Sequence, residues 1–428
     1  MDEEMKKPGQ KLGFFMSVAL VMGNMIGSGV FLLPQSLAPF GWNAIAGWVV
    51  TIAGALCLAH VLAKLTAEHE GAIGPAELVE RSFGPLAGFL IGFAFWVSVW
   101  TGCVTIAVGA TSYMASFLPV LGEHPALAAL GVIWAMTGVN LLGVRSAGSF
   151  QVVTTLIKLT PLIVVAILIG LILARDGSAA LAPFPNEGLS LPSVNAAAAL
   201  TLWAMIGFEA ACAASHKIDN PQRNVPRATF YGALLSGIIY LIVCSGITLM
   251  LPADKVAASN APFELFVASF WSPGPASLVA AFAAISAIGA VNGWTLVQAE
   301  LPLEMAKRRM MPAWFARIGA NGVPVNSLLA ATVLGSLLVL ANSSQSMAGL
   351  FTFMALLTTS VTLWLYLACA AVALKRKVAI PFAVLGLAFG IWSLWGAGVE
   401  ASGLSIVLMF AGLPLYWWTR RSLSTQPH

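Results

Sequence analysis

The chain is built from apolar stretches that are each long enough to cross a lipid bilayer. Residues 14–37, 42–63 and 156–173 are examples of roughly 18 or more residues with almost no charge. An α-helix rises about 1.5 Å per residue, so about 20 such residues cross roughly 30 Å of hydrocarbon. Hydrophobic residues make up 59% of the 428 residues and charged residues only 9%, whereas a soluble domain has about 25% charged residues. We therefore predict an all-α membrane protein.

About twelve transmembrane helices are predicted, in a single membrane domain with loops of at most about twenty residues. Eighteen of the 21 Lys and Arg residues fall on one side of these helices, two fall on the other, and Lys158 falls within the fifth. Cytoplasmic segments carry the excess of Lys and Arg, so both termini are predicted to be cytoplasmic. The predicted spans, numbered 1 to 12, are 14–38, 42–64, 85–118, 126–144, 148–174, 193–214, 227–251, 276–304, 325–342, 346–373, 380–397 and 402–419.

Neither a metal site, nor a cofactor, nor a disulfide framework is predicted. The five cysteines lie inside apolar stretches without the spacing of metal ligands, and each is read as a small buried hydrophobe. The net charge of +4 follows from the positive residues that orient the spans and does not indicate nucleic-acid binding. These cysteines are Cys57, Cys103, Cys212, Cys244 and Cys369.

Two spans contain a polar, glycine-containing interruption near their middle. Span 1 has Gly27-Ser28-Gly29 after Gly23 and Asn24, and span 6 has Ile206-Gly207-Phe208-Glu209. Glycine lets a helix unwind, and unwinding frees N–H and C=O groups that lipid cannot satisfy. Two such breaks predict a solute site between inverted repeats, where free N–H groups suit a carboxylate and free carbonyls an ammonium. The alternative is that these glycines only allow close helix packing.

Two charged residues fall deep within predicted spans. A lysine in mid-membrane costs about 2.5 to 3.5 kcal/mol unless it finds a partner, so Lys158 either pairs inside the protein or extends to the interface. Glu209 is either a proton-sensitive group or a capping acid at the break in span 6. Glu300 and Glu304 lie beside basic residues and are explained by local ion pairs, and His60 is read as an interfacial histidine.

Four motifs occur in order along the chain: GNMIGSGVFLLP at 23–34, LWAMIGFE at 202–209, DNPQRNVP at 219–226 and GWTL at 293–296. They resemble the amino acid, polyamine and organocation (APC) superfamily, in particular its bacterial arginine/agmatine and putrescine/ornithine exchangers. The resemblance covers nearly the whole chain. It implies the LeuT-type fold, in which residues 1–174 and 193–373 form 5+5 inverted repeats with broken helices 1 and 6, and residues 380–419 form two peripheral helices.

The resemblance also implies a set of substrate contacts. Within this set, Ser28 and Gly29 would meet the substrate carboxylate, while the carbonyl groups of Met25, Trp203 and Ile206 would hold the amino group. The residues implied to contact substrate are Asn24, Met25, Ile26, Gly27, Ser28, Gly29, Phe95, Trp100, Cys103, Ile106, Trp203, Ile206 and Trp294.

Two tryptophans are implied as gates, and two residues depart from the pattern of the arginine exchanger. Trp203 would close over the substrate and Trp294 would face its side chain; the alternative for either is packing at the lipid interface. Cys103 stands where that exchanger has an asparagine, and Phe95 where a tyrosine is expected. Because a thiol replaces an amide poorly, this part of the pocket is less polar and a neutral substrate side chain becomes an alternative.

The resemblance bears on coupling as well. A lysine at the position of Lys158 is similar to sodium-independent members, including the large neutral amino-acid transporters, in which its ammonium occupies the space of a sodium ion. Glu209 would be the proton-sensitive carboxylate. The chain is thus expected to be a sodium-independent amino-acid exchanger of the bacterial inner membrane whose activity is pH-sensitive or proton-linked. A cationic amino acid or polyamine antiporter and a proton-coupled symporter of neutral amino acids stay open, as does a homodimer.

Two other classes of function compete with transport. A membrane enzyme would need a cluster of acids, bases or metal ligands at an interface, but the few ionisable groups within spans are separate and lie at the helix breaks. A channel or a receptor that transports nothing is excluded less firmly. The sequence therefore predicts a carrier and no enzyme.

Overall fold

Helices form the framework of the computed structural model, which describes residues 11–27, 29–68, 74–143, 158–319 and 321–424. In these ranges the only β contact is an isolated parallel bridge between Leu12 and Ile218. The helices are α1 (Phe14–Met25), α2 (Gly29–Leu37), α3 (Trp42–Ala67), α4 (Pro75–Phe83), α5 (Pro85–Met114), α6 (Val120–Glu123), α7 (Pro125–Leu141), α8 (Thr160–Asp176), α9 (Leu191–Met205), α10 (Ala210–Ala213), α11 (Pro221–Met250), α12 (Ala253–Ala258), α13 (Pro262–Phe270), α14 (Pro273–Lys307), α15 (Val325–Ala341), α16 (Met347–Arg376), α17 (Ile380–Gly396), α18 (Gly398–Phe410) and α19 (Leu413–Ser424).

The helices agree with the predicted spans. Among the described residues, eight helical segments are long and apolar enough to cross a membrane, and the bent pair α1 and α2 makes a ninth. The shorter apolar helices α7, α15 and α17 coincide with predicted spans 4, 9 and 11. The all-α membrane fold is therefore confirmed. The first part of span 5, residues 148–157, lies outside the described residues, and the inverted repeats and the orientation of the termini stay predictions.

Four short helices lie in the loops between the predicted spans, where the sequence analysis identified none. α4 precedes span 3, α6 follows it, and α12 and α13 lie in the loop 252–275. α13 buries Phe263, Phe266 and Val267 in the core, so the loop is anchored by apolar side chains. The sequence did not reveal these helices because they are too short to show a membrane-length apolar signal.

The amphipathic helix α4 is tied to the ends of two long helices. Glu77 accepts hydrogen bonds from Arg81 and from Arg308, which follows α14, and the Nζ atom of Lys375 in α16 donates to the carbonyl of Ser82 over 2.5 Å. Burial tends to raise the pKa of Glu77, but the hydrogen bonds from Arg308 and Arg81 outweigh it and lower that pKa below its usual value. Hydrogen bonds from Arg308 and Lys375 thus link α4 to the ends of α14 and α16.

The long helices divide into inner and outer ones. In their most apolar 18-residue windows, α5 is 89% buried, the segment of α9 and α10 is 83% buried, and α16 is 78% buried, whereas α8 and the segment of α18 and α19 are each 22% buried. The last two therefore face mainly away from the protein. The inner helices surround the interruptions of spans 1 and 6, so the apolar core encloses the predicted site.

Small residues allow the closest helix contacts, as expected where helices pack by shape in lipid. A Cβ atom placed on Gly47 of α3 would lie 2.9 Å from the Cβ of Ala197 in α9, and one placed on Gly54 would overlap the ring of Phe389 in α17. In contrast, a Cβ on Gly131 of α7 would meet no atom within 4 Å. Gly47 and Gly54 therefore allow α3 to pack closely against α9 and α17.

We predict that Gly54→Ala lowers stability because the added methyl group forces α3 and α17 apart. Overpacking of this kind costs about 1 to 3 kcal/mol. The control Gly131→Ala adds the same methyl group in open space and should be neutral or stabilising by up to about 1 kcal/mol. Apparent melting temperatures in detergent measure both effects. A Gly54→Ala protein that melts at or above the wild-type temperature would contradict the packing described here.

Candidate substrate-binding site

The interruption of span 1 separates two helices whose axes differ by 50°. α1 ends at Met25, where Ile26 adopts an extended conformation with ψ 93°, and α2 begins at Gly29. The last four carbonyls of a helix lack partners within it. Here the carbonyl of Met22 accepts from the N–H of Ile26 over 2.8 Å. Ser28, predicted to contact substrate, lies outside the described residues.

The interruption of span 6 is local. α9 ends at Met205, residues 206–209 form a turn, and α10 begins at Ala210. Gly207 has φ +115°, a conformation that other residues rarely adopt. Trp203, whose carbonyl was predicted to hold the substrate amino group, already accepts a hydrogen bond from the N–H of Ile206 at 3.3 Å. A carbonyl has two lone pairs, so one acceptor direction stays open.

The two breaks contact each other through Asn24. Its Nδ2 atom donates to the carbonyl of Gly207 over 3.1 Å, and a Cβ atom on Gly207 would lie 3.0 Å from that same nitrogen. Glycine at this position is thus needed both for the backbone conformation and for the approach of Asn24. The sequence analysis placed Asn24 against the substrate; in the structure its amide links the last turn of α1 to the turn 206–209 of span 6.

Glu209 closes the span 6 turn from within. Its Oε2 atom accepts hydrogen bonds from the N–H of Gly207 at 3.1 Å and from the hydroxyl of Tyr366 in α16 at 2.9 Å. The ring of Tyr366 also stacks on Phe208, with centroids 4.8 Å apart. Glu209 is only 7% exposed. The carboxylate of Glu209 therefore links the backbone of the turn 206–209 to α16.

Tyr366 is a site residue that the sequence analysis missed. It lies in the middle of span 10, in a helix that also carries the buried Thr358, Thr359 and Thr362. A tyrosine in an apolar span needs a partner for its hydroxyl, and that requirement is the signal that could have marked it.

Lys158 is buried at 4% exposure and does not extend to the interface. Its Nζ atom donates to the carbonyl of Gly23 over 2.6 Å, close to the end of α1. The C-terminal end of a helix carries partial negative charge, which favours an ammonium there. Lys158 thus satisfies one of the carbonyl groups freed by the break in span 1.

Trp203 fills the space between span 1 and span 3. A Cβ atom on Gly29 would lie 2.7 Å from its Nε1, and one on Gly102 of α5 would lie 3.6 Å from its ring. The indole is 7% exposed, and its N–H has no hydrogen-bond partner among the described residues. Trp203, the predicted gate, therefore packs over the start of α2, and its indole N–H is available as a hydrogen-bond donor.

The residues predicted on α5 fall on two faces of that helix. Phe95 and Ile106 lie on the same face as Gly102, which packs against Trp203, and Cys103 lies between that face and the one that carries Trp100. Trp100 is two residues from Gly102, about 200° around the helix, and lines an apolar cavity of about 690 Å³ with residues of α15, α18 and α19. Trp100 therefore lies on the side of α5 that faces away from Trp203.

On α14, the residues nearest the site follow a helical repeat. The Cβ of Ala290 would lie 3.6 Å from a Cβ on Gly27, and the half-buried Trp294 lies one turn further along the same face. Thr295 meets the thiol of Cys103. α14 thus contributes to the wall of the site between span 1 and α5.

A polar cavity of about 560 Å³ lies at the far end of α2 and is lined by Gln35, Glu123, Asn260 and the segment 343–348. An aromatic cluster lies between this cavity and the break. Tyr113 donates to the carbonyl of Phe31 over 2.8 Å, its hydroxyl accepts from the N–H of Phe263 at 3.3 Å, and both neighbouring rings pack edge-on to Phe31. The candidate site is closed on this side.

A bundle of apolar helices with two touching, polar breaks at mid-span is the architecture of a secondary membrane carrier. The sequence pattern of the amino acid permease family matches residues 12–426. The chain is 30% identical to the cadaverine/lysine antiporter of Escherichia coli strain K12 over 436 positions, covering 98% of this chain and 97% of that protein. It is 29% identical over 422 positions to the putrescine transporter PotE of the same strain, covering 95% of each chain.

A third relative, the PotE putrescine transporter of Haemophilus influenzae, is 28% identical over 426 positions, covering 96% of this chain and 98% of that one. The chain belongs to the amino acid permease family. It is a multi-pass membrane transporter and not an enzyme. The superfamily resemblance of its four motifs is thereby confirmed.

We predict that Gly29→Ala displaces Trp203 and weakens substrate binding. The added methyl group would lie 2.7 Å from the Nε1 atom, and a clash costing about 1 to 3 kcal/mol corresponds to a roughly 5- to 150-fold loss of affinity. The control Gly23→Ala meets no atom within 4 Å and should bind normally. The increase in melting temperature produced by a panel of amino acids and diamines measures binding. Equal increases in both variants would contradict this role of Trp203.

Proposed function

We propose that this protein is a sodium-independent exchanger of amino acids and their decarboxylated amines. The observation that carries the proposal is one set of hydrogen bonds that joins both helix breaks to the two buried charges. It runs from Lys158 to Gly23, from Asn24 to Gly207, and from Gly207 to Glu209. The relatives named for cadaverine, lysine and putrescine support the same class of substrate.

The substrate's charged groups match the ends of the half-helices. The first N–H groups of α2, from Gly29 onward, have no partner within that helix and would receive a carboxylate. The carbonyls at the ends of α1 and α9, including those of Met25 and Ile206, would receive an ammonium. An amine without a carboxylate would use only the second set. The unused indole N–H of Trp203 is a further donor for the carboxylate.

The substrate side chain would lie against a mostly apolar wall. Cys103 and Ile106 are buried on α5, and Phe95 is half-buried on the same face as Ile106. Among the described residues, Lys158 and Glu209 are the only buried side chains that carry charge. Glu209 is thus the one buried carboxylate available to a second ammonium, as in a diamine, whereas a neutral side chain would need only the apolar wall.

The placement of Lys158 supports the proposed sodium independence. A sodium ion at a helix break is held by freed carbonyl oxygens, and the ammonium of Lys158 lies 2.6 Å from one of them, that of Gly23. A cation at this position would be repelled by the lysine and deprived of that ligand. The protein's own ammonium therefore takes the role of a coupling cation.

Proton symport is the second candidate, and buried Glu209 favours it. This carboxylate is bonded to neutral donors and is not among the four ion pairs of the described residues. A buried carboxylate without a counter-ion is disfavoured in its charged form. Binding or release of one proton at this group would change how the turn 206–209 is held, which suits either pH-gated exchange or symport.

We predict counterflow without sodium. In liposomes loaded with unlabelled lysine or putrescine, the purified protein should take up labelled lysine at an unchanged rate when choline replaces sodium. Lysine methyl ester should compete far less than lysine because its ester group occupies the place of the carboxylate without its charge, whereas cadaverine has no group at that place. Empty liposomes distinguish exchange from symport, and protein-free liposomes give the background. A strict sodium requirement would refute the role of Lys158, and competition by the ester but not by cadaverine would refute the half-helix site.

We predict that Glu209→Gln flattens the dependence of exchange on pH. Glutamine keeps oxygen and nitrogen atoms for the turn and Tyr366 but cannot titrate. Lys158→Ala should shift the same profile because the carbonyl of Gly23 loses its ammonium. Glu187→Gln, which alters an exposed acid in the loop before α9, is the control and should leave the profile unchanged. Unaltered profiles in both site variants, with binding intact, would exclude these residues from coupling.

A further inference from the structure

A second polar cavity lies where basic residues of α3 and α11 come together, and none of its lining residues belongs to the helix breaks. It has a volume of about 570 Å³ and lies between the end of α3 and the start of α11. We call it the basic cavity. Its lining includes His60, Lys64, Arg223, Arg227, Phe230 and Tyr231.

Among the residues that the structure describes, only basic and neutral side chains line the cavity. No Asp or Glu of these ranges lines it, and none of their four ion pairs involves Lys64, Arg223 or Arg227. Arg227 packs over the ring of Phe14 in α1, 4.9 Å from its centroid. α11 also begins here, after Asn220, and its N-terminal end adds partial positive charge. Like charges in one cavity repel, so an anion is the ligand that would stabilise it.

An apolar stripe leads away from the cavity along α11. Tyr231 lines the cavity, and Tyr231, Leu235, Ile238 and Ile242 are 41% to 44% exposed. Their spacing of four, three and four residues places them on one face of the helix. A ligand that fits both features is an amphiphile with an anionic head and a hydrocarbon chain.

We propose that the basic cavity binds the phosphodiester head group of an anionic phospholipid, with an acyl chain along the stripe of α11. Basic pockets between helices at the cytoplasmic side of a membrane protein suit such head groups. A free phosphate would leave the stripe unused. The lipid would join α3 to α11 beside the start of α1, the helix whose other end carries Gly23 and Asn24.

The test is native mass spectrometry of the full-length, delipidated protein titrated with dioleoyl phosphatidylglycerol or dioleoyl phosphatidylcholine. The anionic lipid should bind more tightly. The double variant Arg223→Gln/Arg227→Gln should lose about thirtyfold in affinity for it, from about fivefold for each basic residue. The matched control Arg309→Gln/Arg317→Gln removes the same charge from exposed residues outside the cavity and should bind like wild type.

Arg227→Lys keeps the charge and should retain most of the binding, and if the double variant does not fold, Arg223→Gln alone should show the fivefold loss. Gel filtration and melting temperature without lipid report folding. Equal binding of both lipids, an equal loss in the matched control, or full competition by millimolar glycerol 3-phosphate would each overturn the proposal. The last result would identify a site for a free phosphate ester.

Discussion

The need to satisfy backbone groups freed inside an apolar bundle governs the centre of this protein. An unpaired amide or carbonyl group away from water costs several kcal/mol. The breaks at 26–28 and 206–209 free such groups, and side chains from distant parts of the chain bind them. Lys158, Asn24 and Glu209 each form a hydrogen bond with a backbone group at a break. These bonds offset the free energy that unpaired backbone groups would cost in the apolar interior.

These same contacts connect the buried charges without joining them directly. The ammonium of Lys158 binds the end of α1, and the carboxylate of Glu209 binds the turn that follows α9. Asn24 links the two segments. In the proposed exchanger, a substrate carboxylate or ammonium would bind between the two helix breaks, whose backbone groups already form hydrogen bonds with Lys158 and Glu209. A change of charge at either end would then alter the geometry that the substrate meets.

Packing around the breaks decides which surface of each helix faces the substrate. Gly102 turns one face of α5 toward Trp203, and the face opposite carries Trp100 toward α15. Phe31, Tyr113 and Phe263 close the path from the polar cavity at Gln35 and Glu123. In the proposed exchanger this cluster would have to open, and the positive φ of Gly207 and the 50° angle between α1 and α2 mark two irregular places in the backbone of the described residues.

Composition and periodicity by themselves determined the membrane class, the number and positions of the spans, and the two breaks, because membrane length and glycine clusters are local signals. Only the tertiary structure decided that Tyr366 meets Glu209, that Asn24 bridges to Gly207, that Trp100 faces away from Trp203, and that the loop 252–275 forms helices. A helix that is apolar on all sides carries no pattern that distinguishes its faces. Which neighbour each face meets is therefore settled by side-chain packing between distant segments.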